Sequence, residues 1–154
     1  MSNSRIRRIF FNELKNGLTM PNGKLQYPVL QSGIVGPTGE EYKVNDSHYH
    51  SHLIPAPAES ETIQGVHVRY MGIYQIDAFV LAPMGGVVDN NIILDEMTDK
   101  LQSIFKINSL LRLTPDDPFY VQVISPLKVM EAKKSDGNWW RSHCYFDYRA
   151  DTNI

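Results

Sequence analysis

Between Val66 and Leu81 the chain alternates without a break. Val66, Val68, Tyr70, Gly72, Tyr74, Ile76, Ala78 and Val80 make one set; His67, Arg69, Met71, Ile73, Gln75, Asp77, Phe79 and Leu81 make the other. Successive side chains of a strand point to opposite faces, so the first set gives an almost wholly apolar face and the second a mixed one. Such a sheet is covered on one side only. The run exceeds the usual strand of about 5–6 residues, so it is either one long strand or a hairpin turning near Gly72. A spanning helix is excluded by the same pattern. Tyr70 to Val88 carries only Asp77 as a charge, but its period is two, and Pro83, Gly85 and Gly86 interrupt it. The reading is a soluble chain with no membrane contact.

A one-sided sheet needs a cover, and two amphipathic helices supply it. Ser4 is placed to cap the first, in which Ile6, Ile9, Phe10 and Leu14 fall at spacings of three and four; Gly17 is the expected stop. Arg5, Arg8, Asn12 and Lys15 lie opposite. The second is expected from Asn90 to Lys106, capped by Asp89 or Asn90, with a stripe of Ile93, Met97, Leu101, Ile104 and Phe105. Its Asp95, Glu96, Asp99 and Lys100 face away.

Further strands are expected around Tyr27 to Leu30, at Phe119, Val121 and Val123, and at Trp140, Cys144, Phe146 and Tyr148. The last two are expected to form a hairpin through Ser135-Asp136-Gly137-Asn138, since Asp-Gly tolerates the positive φ required. Residues from about 33 to 64 read as a long irregular loop holding one short, solvated edge strand, His48 to Ile54. The expected fold is α+β: a single-domain sandwich over residues 1–154, a mixed or antiparallel sheet with two α-helices packed on one face. At 154 residues and 42% hydrophobic, the chain can build one such core.

Charge and chemistry narrow the function by exclusion. Fifteen Lys and Arg against 17 Asp and Glu leave a net charge of −2, too little of either sign to hold nucleic acid over the whole surface. Arg5, Arg7 and Arg8 read as a solvated helix start. Cys144 is the single cysteine, so no internal disulfide or cysteine zinc cage is available, and its place in the apolar set makes it an inert thiol. No Gly-x-Ser-x-Gly elbow occurs, and Gly33 to Gly39 lacks the Gly-Lys-Ser/Thr ending of a phosphate loop. His48, His50 and His52 share one strand face and are the metal candidates. They do not complete a cupin motif, because Glu59 comes nine positions after His50, too late. Asp77 could serve as a catalytic acid, but it reads better as hydrogen-bonded at a subunit contact or facing solvent. One exposed tryptophan of the Trp139-Trp140 pair could anchor a partner.

The stretch Gly72-Ile73-Tyr74-Gln75-Ile76-Asp77-Ala78-Phe79, then Pro83-Met84-Gly85-Gly86, then a helix ending in Ile104-Phe105, resembles the tail terminator (tail completion) proteins of long-tailed bacteriophages. So does the ending, Val121 to Ile124, a turn, and Trp139-Trp140 leading into Tyr145-Phe146-Asp147-Tyr148. The resemblance implies a non-enzymatic virion protein at the head–tail junction, assembled in the host cytoplasm and needing no cofactor. It implies a homo-oligomer, a hexameric ring that caps the tail tube protein, stops its polymerisation and meets the head-completion (connector) protein. DNA would pass through the lumen without specific binding. A closed ring needs two complementary patches on each subunit. His67, Arg69, Met71, Ile73, Gln75, Asp77 and Phe79 are the candidates for one. The loops at 33–64 and 83–90, with Gly85 and Gly86, are candidates for contacts along the tube. Two other readings stand beside it: another head–tail connector or tube-type subunit, and a metal-dependent enzyme using His48, His50 and His52.

Overall fold

The computed structural model describes residues 3–31, 47–56, 59–60, 67–81, 88–134 and 139–153. Its elements in chain order are α1 (Asn3–Leu18), β1 (Val29–Gln31), β2 (His48–Pro55), β3 (Glu59–Ser60), β4 (His67–Leu81), α2 (Val88–Ile104), β5 (Leu110–Leu111), β6 (Val121–Val123), β7 (Lys128–Val129), β8 (Lys133–Lys134) and β9 (Trp139–Asn153). The sheet runs β1-β2-β4-β9-β6-β5, with β3 added to β4, and β7 and β8 to β9. β1 and β2 are parallel and the remaining pairs antiparallel, so the sheet is mixed. The fold is α+β, as the alternation and the two helical stripes require.

The long alternating run is one strand of 15 residues, not a hairpin. It pairs along its whole length with β9, from His67 opposite Asn153 to Leu81 opposite Trp139. Gly72 answers to close approach rather than to a turn. A Cβ there would lie 2.5 Å from the Ile54 carbonyl oxygen and 2.7 Å from the Tyr148 hydroxyl, and backbone cannot yield as a side-chain tip can.

Both helices lie on the apolar set. Tyr74, Ile76, Ala78 and Val80 of β4, with Cys144, Phe146, Tyr148 and Ala150 of β9, are buried beneath Ile6, Ile9, Phe10 and Leu14 of α1 and Leu94, Met97 and Leu101 of α2. Phe10 is the hub. Its ring stacks on Tyr74 with centroids 4.5 Å apart and meets Phe105, Phe146 and Tyr148 edge-on. The Tyr49 hydroxyl donates to the Met97 carbonyl at 2.9 Å and pins α2 to β2; burial raises its pKa.

Several expectations are corrected. Gly17 does not stop α1 but lies within it, where a Cβ would come 2.5 Å from Ile104 Cγ1, so its role is close packing of the helices. α2 starts at Val88, which puts Asp89 and Asn90 inside the helix rather than at its cap. Leu94 enters the core, while Ile93 is only partly buried. β2 is no edge strand, because β1 and β4 flank it and Tyr49 and Ser51 are buried. Its interleaved histidines hide this in the sequence. β6 is not the hairpin partner of β9's start. It pairs near the far end, Val123 opposite Tyr148, and β7 and β8 take the nearer positions. The Ser135–Asn138 turn, residues 33–46, 57–58 and 61–64 of the expected 33–64 loop, and Pro83, Gly85 and Gly86 lie outside the described residues. Among the described residues no helix is long and apolar enough to cross a membrane.

Candidate functional site

The register of three strands builds a grid on the face away from the helices. Asp77 of β4 stands between His50 of β2 and His143 of β9; Gln75 stands between His52 and Tyr145; Phe79 between His48 and Arg141; and Ile73 between Ile54 and Asp147. Alternation makes this the mixed face on all three strands.

At its centre Asp77 is only 4% exposed. Three side chains of its own chain cover it. His143 Nδ1 lies 2.5 Å from Oδ1, and Gln75 Nε2 lies 3.0 Å from Oδ1 and 3.3 Å from Oδ2. His52 Nε2 stands 3.7 Å from Oδ2. An ionised carboxylate only accepts, so His143 carries its proton on Nδ1 and the Gln75 amide donates to Asp77 rather than to that nitrogen. Asp77 therefore does not face solvent, and the face presents the rims of His52 and His143 around it. His143 was missed as this partner because only strand register brings residues 77 and 143 together.

The three strand histidines point the same way but do different work. His48 is stacked on Phe79, rings 5.0 Å apart and 9° from parallel, with the edge of Trp139 at 5.1 Å. His50 and His52 instead pack against each other at 4.4 Å. Among the described residues no three His, Cys, Asp or Glu side chains are grouped to hold a metal ion. The hydroxyl and thiol of β9's first half face the other way: Ser142 donates to the Met130 carbonyl at 2.8 Å, and Cys144 is 0% exposed with burial pushing its thiol up to about 12. The Asp77 cluster thus has acid–base groups and no neighbouring nucleophile from these two residues.

Burial lowers the pKa of His50, helped by the charge of His52 and opposed by Asp77. The folded chain resists a proton that the unfolded chain accepts below about 6.5. The stabilising contribution is therefore complete above that pH and is lost as pH falls toward the folded value. His50→Gln is expected to reduce the drop in urea midpoint between about pH 7 and pH 5. Identical drops in the two proteins would show that His50 does not set it.

Around this cluster the face turns apolar and charged by turns. Met71 and Ile54 are 38% and 47% exposed, and Ile73 and Phe79 are half-buried. Arg69 bonds Asp151 at 2.9 Å, and Arg149 approaches the same carboxylate at 3.2 Å. The His67 side chain, Gly85 and Gly86 lie outside the described residues. Of the first-helix arginines, Arg5 pairs with Asp117 and sits over the Phe119 ring at 5.1 Å. The Phe119 amide and then Arg5 hold the Asp117 carboxyl below its ordinary value. Arg5 is thus committed to the fold.

No family model matches the chain, and no curated protein matches it either. One solved structure is similar over 97% of this chain and 96% of its own, with a TM-score of 0.69 at 17% sequence identity, a likeness that establishes the α+β fold and nothing further.

Proposed function

We propose that this chain is a phage tail-terminator subunit. It assembles as a closed ring, a hexamer by the resemblance of Gly72–Phe105 and Trp139–Tyr148 to that family. The ring sits at the head–tail junction of the virion, caps the tail tube, stops its growth and offers a surface to the head-completion protein. The observation that carries this reading is a sheet face that no element covers among the described residues: two 15-residue strands, each buried on one side, present half-exposed Ile73, Met71 and Phe79 on either side of the Asp77 cluster on the other. Apolar side chains interspersed with polar groups that are already paired within the chain suit a protein interface of mixed character. A ring also needs a second, different patch. Ile107 and Leu110, 49% and 48% exposed at the opposite sheet edge, are suited to it.

Deleting the gene from its phage tests the proposal. The expected result is tails of uncontrolled length that fail to join heads. Tails of normal length that join heads would overturn it. Tails of normal length left unjoined, with the labelled protein at the connector in electron micrographs, would favour the connector reading instead.

A further inference from the structure

One row of the sheet has its counterpart on the outer side of α2. Across the strands, Phe79 of β4 stands opposite Arg141 of β9, and Arg141 stands opposite Lys133 of β8. Cross-strand partners share a face, here the one turned away from the helices. Neighbouring strands lie about 5 Å apart, so an apolar ring is followed by cations at about 5 and 10 Å. Phe79 and Arg141 are half-buried and Lys133 is exposed. Neither cation pairs with a carboxylate among the described residues.

The outer side of α2 repeats that order with the charge reversed. Leu94, Met97 and Leu101 turn to the core, which leaves Ile92, Asp95, Glu96 and Asp99, at spacings of three and four, as the opposite stripe. Ile92 is 54% exposed, and all three carboxylates are exposed. Half-buried Lys100 stands at the flank, so the stripe stays acidic. Measured along the helix axis from Ile92, Asp95 and Glu96 lie at about 4.5 and 6 Å and Asp99 at about 10.5 Å. Apolar contact, charge and charge therefore follow one another at the same intervals on the sheet row and on the helix. A chain cannot bring its own α2 to this row, because that helix already covers the other face of the sheet.

We propose that the sheet face away from the helices receives α2 of a second copy of this chain. The helix lies across the strands, with Ile92 on Phe79, Asp95 and Glu96 at Arg141, and Asp99 at Lys133. Each copy offers one row and one helix, so the contact is heterologous and repeats around a closed ring. Helices on both faces of a sheet are an ordinary layered solution. Duplex DNA, with a charge every 1.7 Å or about that, calls for a longer basic track than two side chains. The inference rests on the ring reading and names what the sheet face meets in it. Ile107 of the second patch follows the end of α2 by three residues.

Lys133→Glu and Asp99→Lys, alone and combined, test it by sedimentation velocity of the full chain over a range of concentrations, with circular dichroism to check the fold. Both positions are exposed, so folding should be unaffected. Each substitution alone sets like charges across the contact and is expected to weaken association by about tenfold to a hundredfold. The combined variant restores an opposed pair with the signs exchanged and is expected within about threefold of wild type. Wild-type association should weaken as salt is raised from about 50 to 500 mM. Wild type that stays monomeric at every concentration, unchanged association in both single variants, or a combined variant as weak as the single ones would each overturn the inference. So would duplex DNA binding that Lys133→Glu abolishes while association is unchanged, which would assign the cations to nucleic acid. The ring reading fails on a different result, normal tails joined to heads in phage lacking the gene.

Discussion

Phe10→Ala is expected to cost about 3–5 kcal/mol, a large part of the roughly 5–15 kcal/mol that holds a domain of this kind together. Phe10 is 0% exposed and touches four other rings, from both long strands and from the residue that follows α2. Removing it leaves a void that none of those rings can fill, since Tyr74 and Tyr148 are fixed by their strands and Phe105 by the end of the helix. Urea unfolding should show a much lower midpoint with a similar slope. Phe11→Ala is the control. Phe11 is only half-buried, with Lys15 above its ring at 5.4 Å, and its loss should cost less than about 1 kcal/mol. Equal costs at the two positions would mean that α1 does not organise the core through Phe10.

Ile73→Lys should leave the fold intact and abolish assembly. Ile73 lies on the face away from the helices, opposite Asp147, so a lysine there gains a neighbour of opposite charge within its own sheet. Buried within an interface, the same ammonium must be stripped of water. A well-buried contact position carries about 2 kcal/mol or more, which weakens association by roughly 30-fold or more. The comparison is between wild type and variant in restoring length control to tails made by phage lacking the gene, with circular dichroism to check the fold. A folded variant that restores normal tails would remove this face from the assembly surface.

How much of this was legible before the structure depends on the range of the interaction concerned. The alternation of residues 66–81 and the stripe of Ile6, Ile9, Phe10 and Leu14 are local patterns, and both give the observed faces. β2 was legible in position but not in rank. Its histidines read as solvated because nothing in His48–Ile54 says that β1 will pair on one side and β4 on the other. The Asp77–His143 bond joins positions 66 apart, and no short window contains it. Gly17 and Gly72 look like breakers in sequence; only a neighbouring element, Ile104 or the Ile54 backbone, makes each of them a point of contact.

Cys144 turns the molecule into its own stopwatch. The only thiol in the chain sits at 0% exposure on the helix-covered face of the longest strand pair, so an alkylating reagent reaches it when the helix layer lifts from the sheet. With reagent in excess the rate of modification counts those openings, and at limiting reagent it measures how often the open form is populated. Wild type and the Phe10 and Ile73 variants can then be compared on one scale, without a dye or an added label.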